Sequence, residues 1–213
     1  MLINIPVDSI ILEGVLEIPQ GSKGIVIFAH GSGSSRHSPR NRFVAEVIHN
    51  AGFGTLLFDL LTQEEDATYK NRFNIELLSD RLKRVTLWLR DSPHARGLRI
   101  GYFGSSTGAA AALMTAAELG GVIGAVVSRG GRPDLAEQAL GQVQTPALLI
   151  VGGYDYTVLQ LNQQAYKLIK AEKELKIIPG ATHLFEEPGA LEKVALSATE
   201  WFKKHLSKNR SDD

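Results

Sequence analysis

Short runs of apolar, largely β-branched residues recur along this 213-residue chain, and amphipathic stretches separate them. Apolar runs of this kind are typical of strands that are buried on both faces of a parallel sheet. They occupy residues 24–29, 55–58, 100–103, 125–127 and 147–151, and a last strand is expected at 174–178. The amphipathic stretches occupy residues 42–51, 74–90, 109–119, 159–171 and 191–206. This alternation predicts an α/β fold with a mainly parallel central sheet and helices on both of its faces.

The first twenty residues predict a different kind of strand pairing. Residues 3–7 and 10–18 have the composition of two short strands joined by a tight turn. They would form an antiparallel hairpin over residues 1–20 at one edge of the sheet. Residues 207–213 are a charged terminus that we expect to fray. Because the chain contains no linker and no repeat, we expect all 213 residues (1–213) to form one domain.

The composition excludes several classes of function. Basic and acidic side chains are equal in number, 23 of each, so no overall field attracts nucleic acid. The chain has no cysteine, which excludes disulfides, a thiolate nucleophile and cysteine-ligated zinc. The N-terminal residues lack the basic start and apolar run of a signal peptide, and no stretch has the length of a membrane span. We therefore expect a cytoplasmic protein with no nucleic-acid and no membrane partner.

The turn after one predicted strand carries the clearest chemical motif. The segment Gly104-Ser105-Ser106-Thr107-Gly108 lies between an apolar run and an alanine-rich helical stretch. In a strand–turn–helix context, the pattern G-x-S-x-G places its middle serine on a sharp turn with the hydroxyl exposed above the sheet. The two glycines leave room for the strand and the helix to approach each other. We predict that Ser106 is a nucleophile; the alternative is a plain glycine-rich turn.

The other candidate residues also follow predicted strands. His30 opens the segment His30-Gly31-Ser32-Gly33 after the first buried run, Asp155 lies four residues after the run that ends at residue 151, and His183 follows the last strand. Ligands and reactive groups gather at the carboxyl ends of the strands in such sheets. We therefore expect Asp155 and His183 to lie near the serine, and His30 to brace the glycine loop.

These motifs, in this order and at these strand ends, resemble those of the α/β-hydrolase superfamily, and within it the lidless dienelactone hydrolase-like branch. The resemblance extends over about residues 10–206 and implies an α/β-hydrolase fold without a cap domain. The namesake enzymes use a cysteine nucleophile, whereas this chain has Ser106 in that place. The resemblance therefore implies a serine esterase.

The resemblance and the chemistry together give each residue a role. His183 would take the proton of the Ser106 hydroxyl during attack and return it to the leaving group. Asp155 would hold the imidazole tautomer and stabilise the imidazolium. The backbone N–H groups of Ser32 and Thr107 would form the oxyanion hole. This mechanism requires no metal and no organic cofactor.

The acid and the substrate leave alternatives open. An aspartate in a glycine-rich turn is often only a turn former, so Asp155 has rivals in the sequence. These rivals are Asp134, Glu186 and Glu187. Guanidinium groups bind carboxylates and phosphates bidentately, so one hypothesis is that the small-molecule ester substrate is anionic. The arginines concerned are Arg36, Arg40 and Arg129; the alternative is a solvated rim partly neutralised by acidic residues 64–66.

The sequence thus predicts a cofactor-independent serine hydrolase that cleaves small carboxylic esters through an acyl-enzyme on Ser106. A peptidase or thioesterase with the same triad is one alternative, and a non-catalytic binding module with this fold is another. The connection 129–145 is too short for a helical cap domain, so we expect an open site with segment 61–73 as its only candidate for a partial cover. The sequence does not distinguish a monomer from a homodimer.

Overall fold

The structure, a computed structural model, describes residues 1–207, so the tail for which we predicted fraying lies, from residue 208 onward, outside the described residues. Its eight strands are β1 (Leu2–Val7), β2 (Ile10–Glu17), β3 (Ile25–Ala29), β4 (Gly54–Phe58), β5 (Ile100–Ser105), β6 (Ile123–Arg129), β7 (Ala147–Gly152) and β8 (Lys173–Ile178). They form one sheet in the order β1-β2-β4-β3-β5-β6-β7-β8. The pairs β1–β2 and β2–β4 are antiparallel, and all other neighbours are parallel. The predicted sheet and its antiparallel edge hairpin are confirmed.

Residues 1–207 contain seven α-helices, and helices cover both faces of the sheet, as predicted. They are α1 (Pro39–Asn50), α2 (Gln63–Ala67), α3 (Ile75–Asp91), α4 (Thr107–Leu119), α5 (Glu137–Leu140), α6 (Tyr156–Leu168) and α7 (Ala190–Leu206). Helices α1 and α7 cover one face, and α3, α4 and α6 cover the other. Four short 3-10 segments complete the elements, at Tyr69–Phe73, Pro93–Ala95, Gly120–Val122 and Pro133–Ala136.

Burial follows the position of each strand in the sheet. Every residue of β3 to β7 is buried because helices cover both faces there. In β2 burial alternates: Leu12 and Leu16 pack into the core, whereas Ile11 and Glu13 are exposed. The apolar runs of the sequence therefore identified the central strands, and β2 lies at the half-covered edge within the predicted hairpin strand 10–18.

Local capping explains where helix bounds differ from the sequence prediction. Helix α1 begins at Pro39 because the Ser38 hydroxyl accepts a hydrogen bond from the Asn41 N–H, and proline suits the first helical position. Helix α2 was not predicted, although it begins with a capping box in which Thr62 and Glu65 bond each other's backbone N–H. Both starts carry a recognisable sequence signal.

The connections at the carboxyl edge of the sheet are short. The segment between β6 and β7 holds only the 3-10 turn Pro133–Ala136 and the one-turn helix α5. The segment between β4 and α3 holds α2 and the 3-10 turn Tyr69–Phe73. Within residues 1–207, no helix combines the length and the apolar character needed to cross a membrane.

Candidate active site

Ser106 lies on the tight turn between β5 and α4. Its φ of 52° and ψ of −119° are a strained combination for a residue other than glycine. A Cβ at Gly104 would lie 2.5 Å from the Cα of Ala109, and a Cβ at Gly108 would lie 2.2 Å from the carbonyl oxygen of Ala29. Strand β5, strand β3 and helix α4 can approach this closely only with glycine at both positions, as the motif predicts.

His183 and Asp155 are hydrogen-bonded to each other. The distance from His183 Nδ1 to Asp155 Oδ2 is 2.6 Å, and the two side chains are 40% and 13% exposed. Since a carboxylate only accepts, the imidazole donates through Nδ1–H and leaves Nε2 free to act as a base. Asp155 is the N-cap residue of α6, but its side chain makes no capping bond to the helix. Its carboxylate is bonded to the imidazole instead.

The three rival acids have other partners. They bond as follows: Asp134 with Arg132, Glu186 with Arg40, and Glu187 with the hydroxyl of Thr182. Among the four acidic candidates, Asp155 is the one that bonds to His183.

The backbone after β6 places the imidazole beside the serine turn. The Ser106 N–H donates to the carbonyl oxygen of Arg129 at 3.3 Å. The next residue, Gly130, has a φ of +52°, and a Cβ there would lie 3.4 Å from His183 Cε1. The structure therefore places Ser106, Asp155 and His183 at the carboxyl edge, in the loops that follow β5, β7 and β8, with Gly130 between the serine turn and the imidazole.

The glycine loop after β3 touches the serine turn from the other side. A Cβ at Gly31 would lie 3.0 Å from the Cβ of Ser106. The Ser32 N–H has no acceptor within residues 1–207. Thr107 is the first residue of α4, where a backbone N–H has no partner inside its own helix. Two unpaired donors thus belong to segments that contact the serine.

His30 joins this loop to the segment after β4. Its Nδ1–H donates to the Gly31 carbonyl oxygen at 3.0 Å, and its Nε2 accepts from the Leu60 N–H at 3.1 Å. Burial lowers the pKa of His30, against the smaller raising effects of the Gly31 bond and of Asp59. Both ring nitrogens are therefore engaged, which agrees with the bracing role expected from the sequence.

The segment between β4 and α3 packs against the same loop. Arg72 Nη1 lies 3.8 Å from the position that a Cβ at Gly33 would occupy. A cavity of about 10 Å³ shows how tightly these parts fit. It is lined by His30, Gly31, Ser32, Gly33, Leu60, Leu61, Asp66, Arg72, Leu78 and Thr107.

Two of the three arginines predicted to bind substrate have acidic partners on the surface of the protein. The Arg36 guanidinium pairs with Asp59 and with Glu13, and the Arg36 N–H also donates to Asp59. Arg40 pairs with Glu186 at 3.1 Å. Their predicted role in binding an anionic substrate stays a prediction.

Arg129, the third, is buried below the site and only 8% exposed. Its Nε–H donates to the Ser105 hydroxyl at 3.3 Å, and its guanidinium carbon lies 5.9 Å from the centre of the Phe185 ring. Burial lowers the pKa of Arg129 to about 10, with a further contribution from repulsion by Arg40. Arg129 thus contacts Ser105, the residue before Ser106, and the loop that carries His183.

Sequence reasoning missed this position of Arg129, although a signal was available. Side chains two apart on a strand share a face. Arg129 therefore lies on the face of Ala125 and Val127, which pack in the core beneath α1 and α7. Phe185, whose φ of +56° is unusual for a bulky residue, gave no comparable signal.

Larger cavities lie away from these residues. One of about 910 Å³ lies between α1 and strands β2 and β4, and another of about 560 Å³ lies near Arg36 and Asp59. Neither is lined by Ser106, Asp155 or His183. An open site at the edge of a sheet need not form a cavity, and the His183–Asp155 bond lies at that edge. Among residues 1–207, no three His, Asp or Glu side chains cluster in a way that could hold a metal ion.

Comparison with known proteins identifies close relatives of this fold and sequence. The model of the dienelactone hydrolase family matches residues 12–207. The crystal structure of a dienelactone hydrolase from Anabaena variabilis has 55% sequence identity and a TM-score of 0.95, with 97% of each chain covered. Est1E from Butyrivibrio proteoclasticus, solved with ferulic acid bound, has 18% identity and a TM-score of 0.83 over 97% of this chain and 100% of its own. At that identity, the likeness to Est1E concerns the fold alone.

A curated relative differs in length and in name. A protein of Mycobacterium tuberculosis whose name proposes phosphoribosyl transferase activity is 59% identical over 195 residues. The match covers 92% of this chain but 44% of that protein. The chain thus spans less than half the length of this relative.

Proposed function

The chain belongs to the dienelactone hydrolase family, and we propose that it is a serine hydrolase that cleaves small carboxylic esters through an acyl-enzyme on Ser106. The observation that carries this proposal is the 2.6 Å bond between His183 and Asp155, beside a serine on a strained strand-to-helix turn. A serine hydroxyl is a poor nucleophile until a base removes its proton. The imidazole of His183, which is hydrogen-bonded to Asp155, supplies that base.

In the proposed acylation step, Ser106 Oγ forms a bond to the ester carbonyl carbon while its proton passes to His183 Nε2. The tetrahedral intermediate then collapses: the bond to the alcohol oxygen breaks, and His183 donates the proton to that oxygen. Water attacks the acyl-enzyme in the same way and releases the carboxylic acid. Asp155 stabilises the imidazolium in both halves of the reaction. These steps use only protein groups and water.

The negative charge that develops on the carbonyl oxygen needs donors already in place. We propose the backbone N–H groups of Ser32 and Thr107 for this purpose. Neither N–H has an acceptor in the part of the chain that the structure describes, and the loop before Ser32 contacts Ser106 through Gly31. The short connections around the site suit small or exposed acyl groups.

We propose hydrolase and not transferase chemistry for this chain. The transferase name belongs to a relative of which the chain covers 44%, whereas the family model matches residues 12–207. The serine, the acid and the histidine all lie within that matched range.

The test measures hydrolysis of p-nitrophenyl esters from acetate to octanoate, together with labelling by a fluorophosphonate probe. We expect the wild type to hydrolyse the short esters and to be labelled, and Ser106→Ala to lose both properties. Ser197→Ala, on the surface of α7, is the matched control and should behave as wild type. Oxygen esters, thioesters and amides of one acyl group then separate an esterase from a thioesterase or a peptidase. An unlabelled wild type without activity would favour the non-catalytic binding module.

A further inference from the structure

Exposed aromatic side chains are confined to the edge of the sheet where Ser106 lies. Among residues 1–207, four large aromatic side chains are exposed: Tyr69 (69%), Phe73 (42%), Tyr154 (61%) and Tyr156 (67%). All four lie in the connections after β4 and after β7, at the carboxyl edge. Exposed apolar side chains that gather in one region mark binding surfaces more often than scattered ones do.

The four residues form two pairs on opposite sides of the serine. The ring centres of Tyr69 and Phe73 are 5.1 Å apart, and those of Tyr154 and Tyr156 are 6.3 Å apart. Strands β4 and β7 are each two positions from β5 in the sheet. Because neighbouring strands are about 4.8 Å apart, β4 and β7 each lie about 10 Å from β5, on opposite sides of it. One aromatic pair lies in the connection after β4 and the other in the connection after β7.

Each pair is tied to one part of the catalytic machinery. Tyr154 and Tyr156 are the neighbours of Asp155 in sequence. Tyr69 and Phe73 bound a 3-10 segment that also contains Arg72, and Arg72 approaches Gly33 of the glycine loop. The pairs therefore flank the acid side and the oxyanion side of the proposed site.

Most arginine side chains around this edge are already paired with acidic side chains of the protein. Four of its arginines are paired with acids of the protein, namely Arg36 with Asp59, Arg40 with Glu186, Arg72 with Asp66 and Arg132 with Asp134, and Arg129 is buried. The exposed groups at this edge include Lys70, which has no acidic partner within residues 1–207, and the four aromatic rings, which are flat and neutral. Such rings stack with other aromatic rings more favourably than with saturated groups of the same size.

We propose that the site prefers neutral esters that carry an aromatic ring, an inference that rests on the proposed serine hydrolase function. His183 must protonate the leaving alcohol, so the alcohol part lies on the His183–Asp155 side. The pair Tyr154–Tyr156 contacts a ring in the alcohol, and the pair Tyr69–Phe73 contacts a ring in the acyl group.

The test uses two matched pairs of neutral esters, followed by pH-stat because a p-nitrophenyl group is itself aromatic. Benzyl acetate is compared with cyclohexylmethyl acetate, and ethyl 3-phenylpropanoate with ethyl 3-cyclohexylpropanoate. We expect kcat/KM of the wild type to favour the aromatic member by about five- to tenfold, the size of one aromatic contact. If these esters turn over too slowly, the rates of inactivation by benzyl and cyclohexylmethyl fluorophosphonates give the same comparison.

Two double variants locate the preference. Tyr154→Ser with Tyr156→Ser should abolish the benzyl preference alone, and Tyr69→Ser with Phe73→Ser should abolish the phenylpropanoate preference alone. Leu196→Ser, an exposed apolar residue of α7, should change neither. Equal rates for aromatic and cyclohexyl members in the wild type, or preferences that survive both double variants, would overturn the inference.

These outcomes differ from a failure of the proposed function. If the wild type is labelled at Ser106 but shows no aromatic preference, the proposed hydrolase function stands and the proposed substrate class is wrong. If the wild type neither hydrolyses these esters nor is labelled, both the proposed function and the proposed substrate class are wrong.

Discussion

Replacing Gly108 by alanine should destabilise the protein, although alanine is the better helix former. Gly108 lies in the first turn of α4, where helix propensity alone would favour alanine by about 1 kcal/mol. The new Cβ, however, would lie 2.2 Å from the Ala29 carbonyl oxygen and 2.4 Å from that of His30. The first distance is about 1.2 Å shorter than the 3.4 Å at which ordinary contact begins. Because both obstacles are backbone atoms, no side chain can rotate away.

The magnitude follows from these opposing effects. Overpacking costs about 1–3 kcal/mol and more where backbone must shift, so we place this case at the upper end. After subtracting the helix gain, we expect the free energy of unfolding to fall by about 2–4 kcal/mol. For a chain of this size, that corresponds to a decrease in Tm of about 4–16 °C.

The assay is denaturant and thermal unfolding of Gly108→Ala beside Gly141→Ala. Gly141 has φ of −67° and open space where its Cβ would be. Alanine there should be neutral or stabilise by about 0.4–1 kcal/mol through the unfolded state. A Gly108→Ala protein as stable as wild type would refute the argument, because helix α4 could then move away from β3 at little cost in free energy. Since the displaced carbonyls precede the glycine loop, esterase activity should also fall.

Three further predictions concern the site. Asp155→Asn should lower kcat by about 10³- to 10⁴-fold, because the new amide at position 155 does not hold His183 in the correct tautomer. Asp134→Asn, the control, should change kcat less than twofold. Equal effects of the two substitutions on ester hydrolysis would contradict the assignment of Asp155 as the acid. His30 should make the free energy of unfolding depend on pH, because burial in the folded state lowers the pKa of His30 below its ordinary value of 6.5. The stability that the neutral imidazole contributes is complete above pH 6.5 and is lost as the pH falls toward the folded-state pKa. Tm measured from pH 5 to 8 should fall less on the acid side in His30→Gln. Arg129→Met should lower kcat at least tenfold, with KM nearly constant and Tm unchanged or higher, since no carboxylate within residues 1–207 pairs with this buried cation. Partial recovery in Arg129→Lys is expected, whereas a rise in KM confined to anionic esters would instead support substrate binding by Arg129.

Much of the fold and of the candidate site was predictable because its signals are local. Apolar runs mark strands covered on both faces, and the G-x-S-x-G turn lies where strand β5 meets helix α4. The same topology brings the loops after β7 and β8 to one edge, so the sequence order of Asp155 and His183 anticipated their contact.

The remaining features depend on distant partners. The Glu186 side chain that pairs with Arg40 is 146 positions away in the sequence, so no local pattern could reveal it. Helix α6 begins three residues before the prediction, directly after Asp155, because that residue occupies the N-cap position while its carboxylate bonds to His183. In these cases tertiary contacts override local preference.

The internal pairing of the arginines also affects how fast substrates arrive. Since Arg36, Arg40 and Arg132 each face an acid nearby, their charges form short dipoles that produce little field at a distance. Encounter with a charged ester should therefore be no faster than encounter with a neutral one. Raising the salt concentration from 0.01 M to 1 M shortens the Debye length from about 30 Å to about 3 Å, and kcat/KM should change little over that range. An enzyme of this kind would work at the same rate in dilute and in concentrated salt, with diffusion unaided by electrostatic steering.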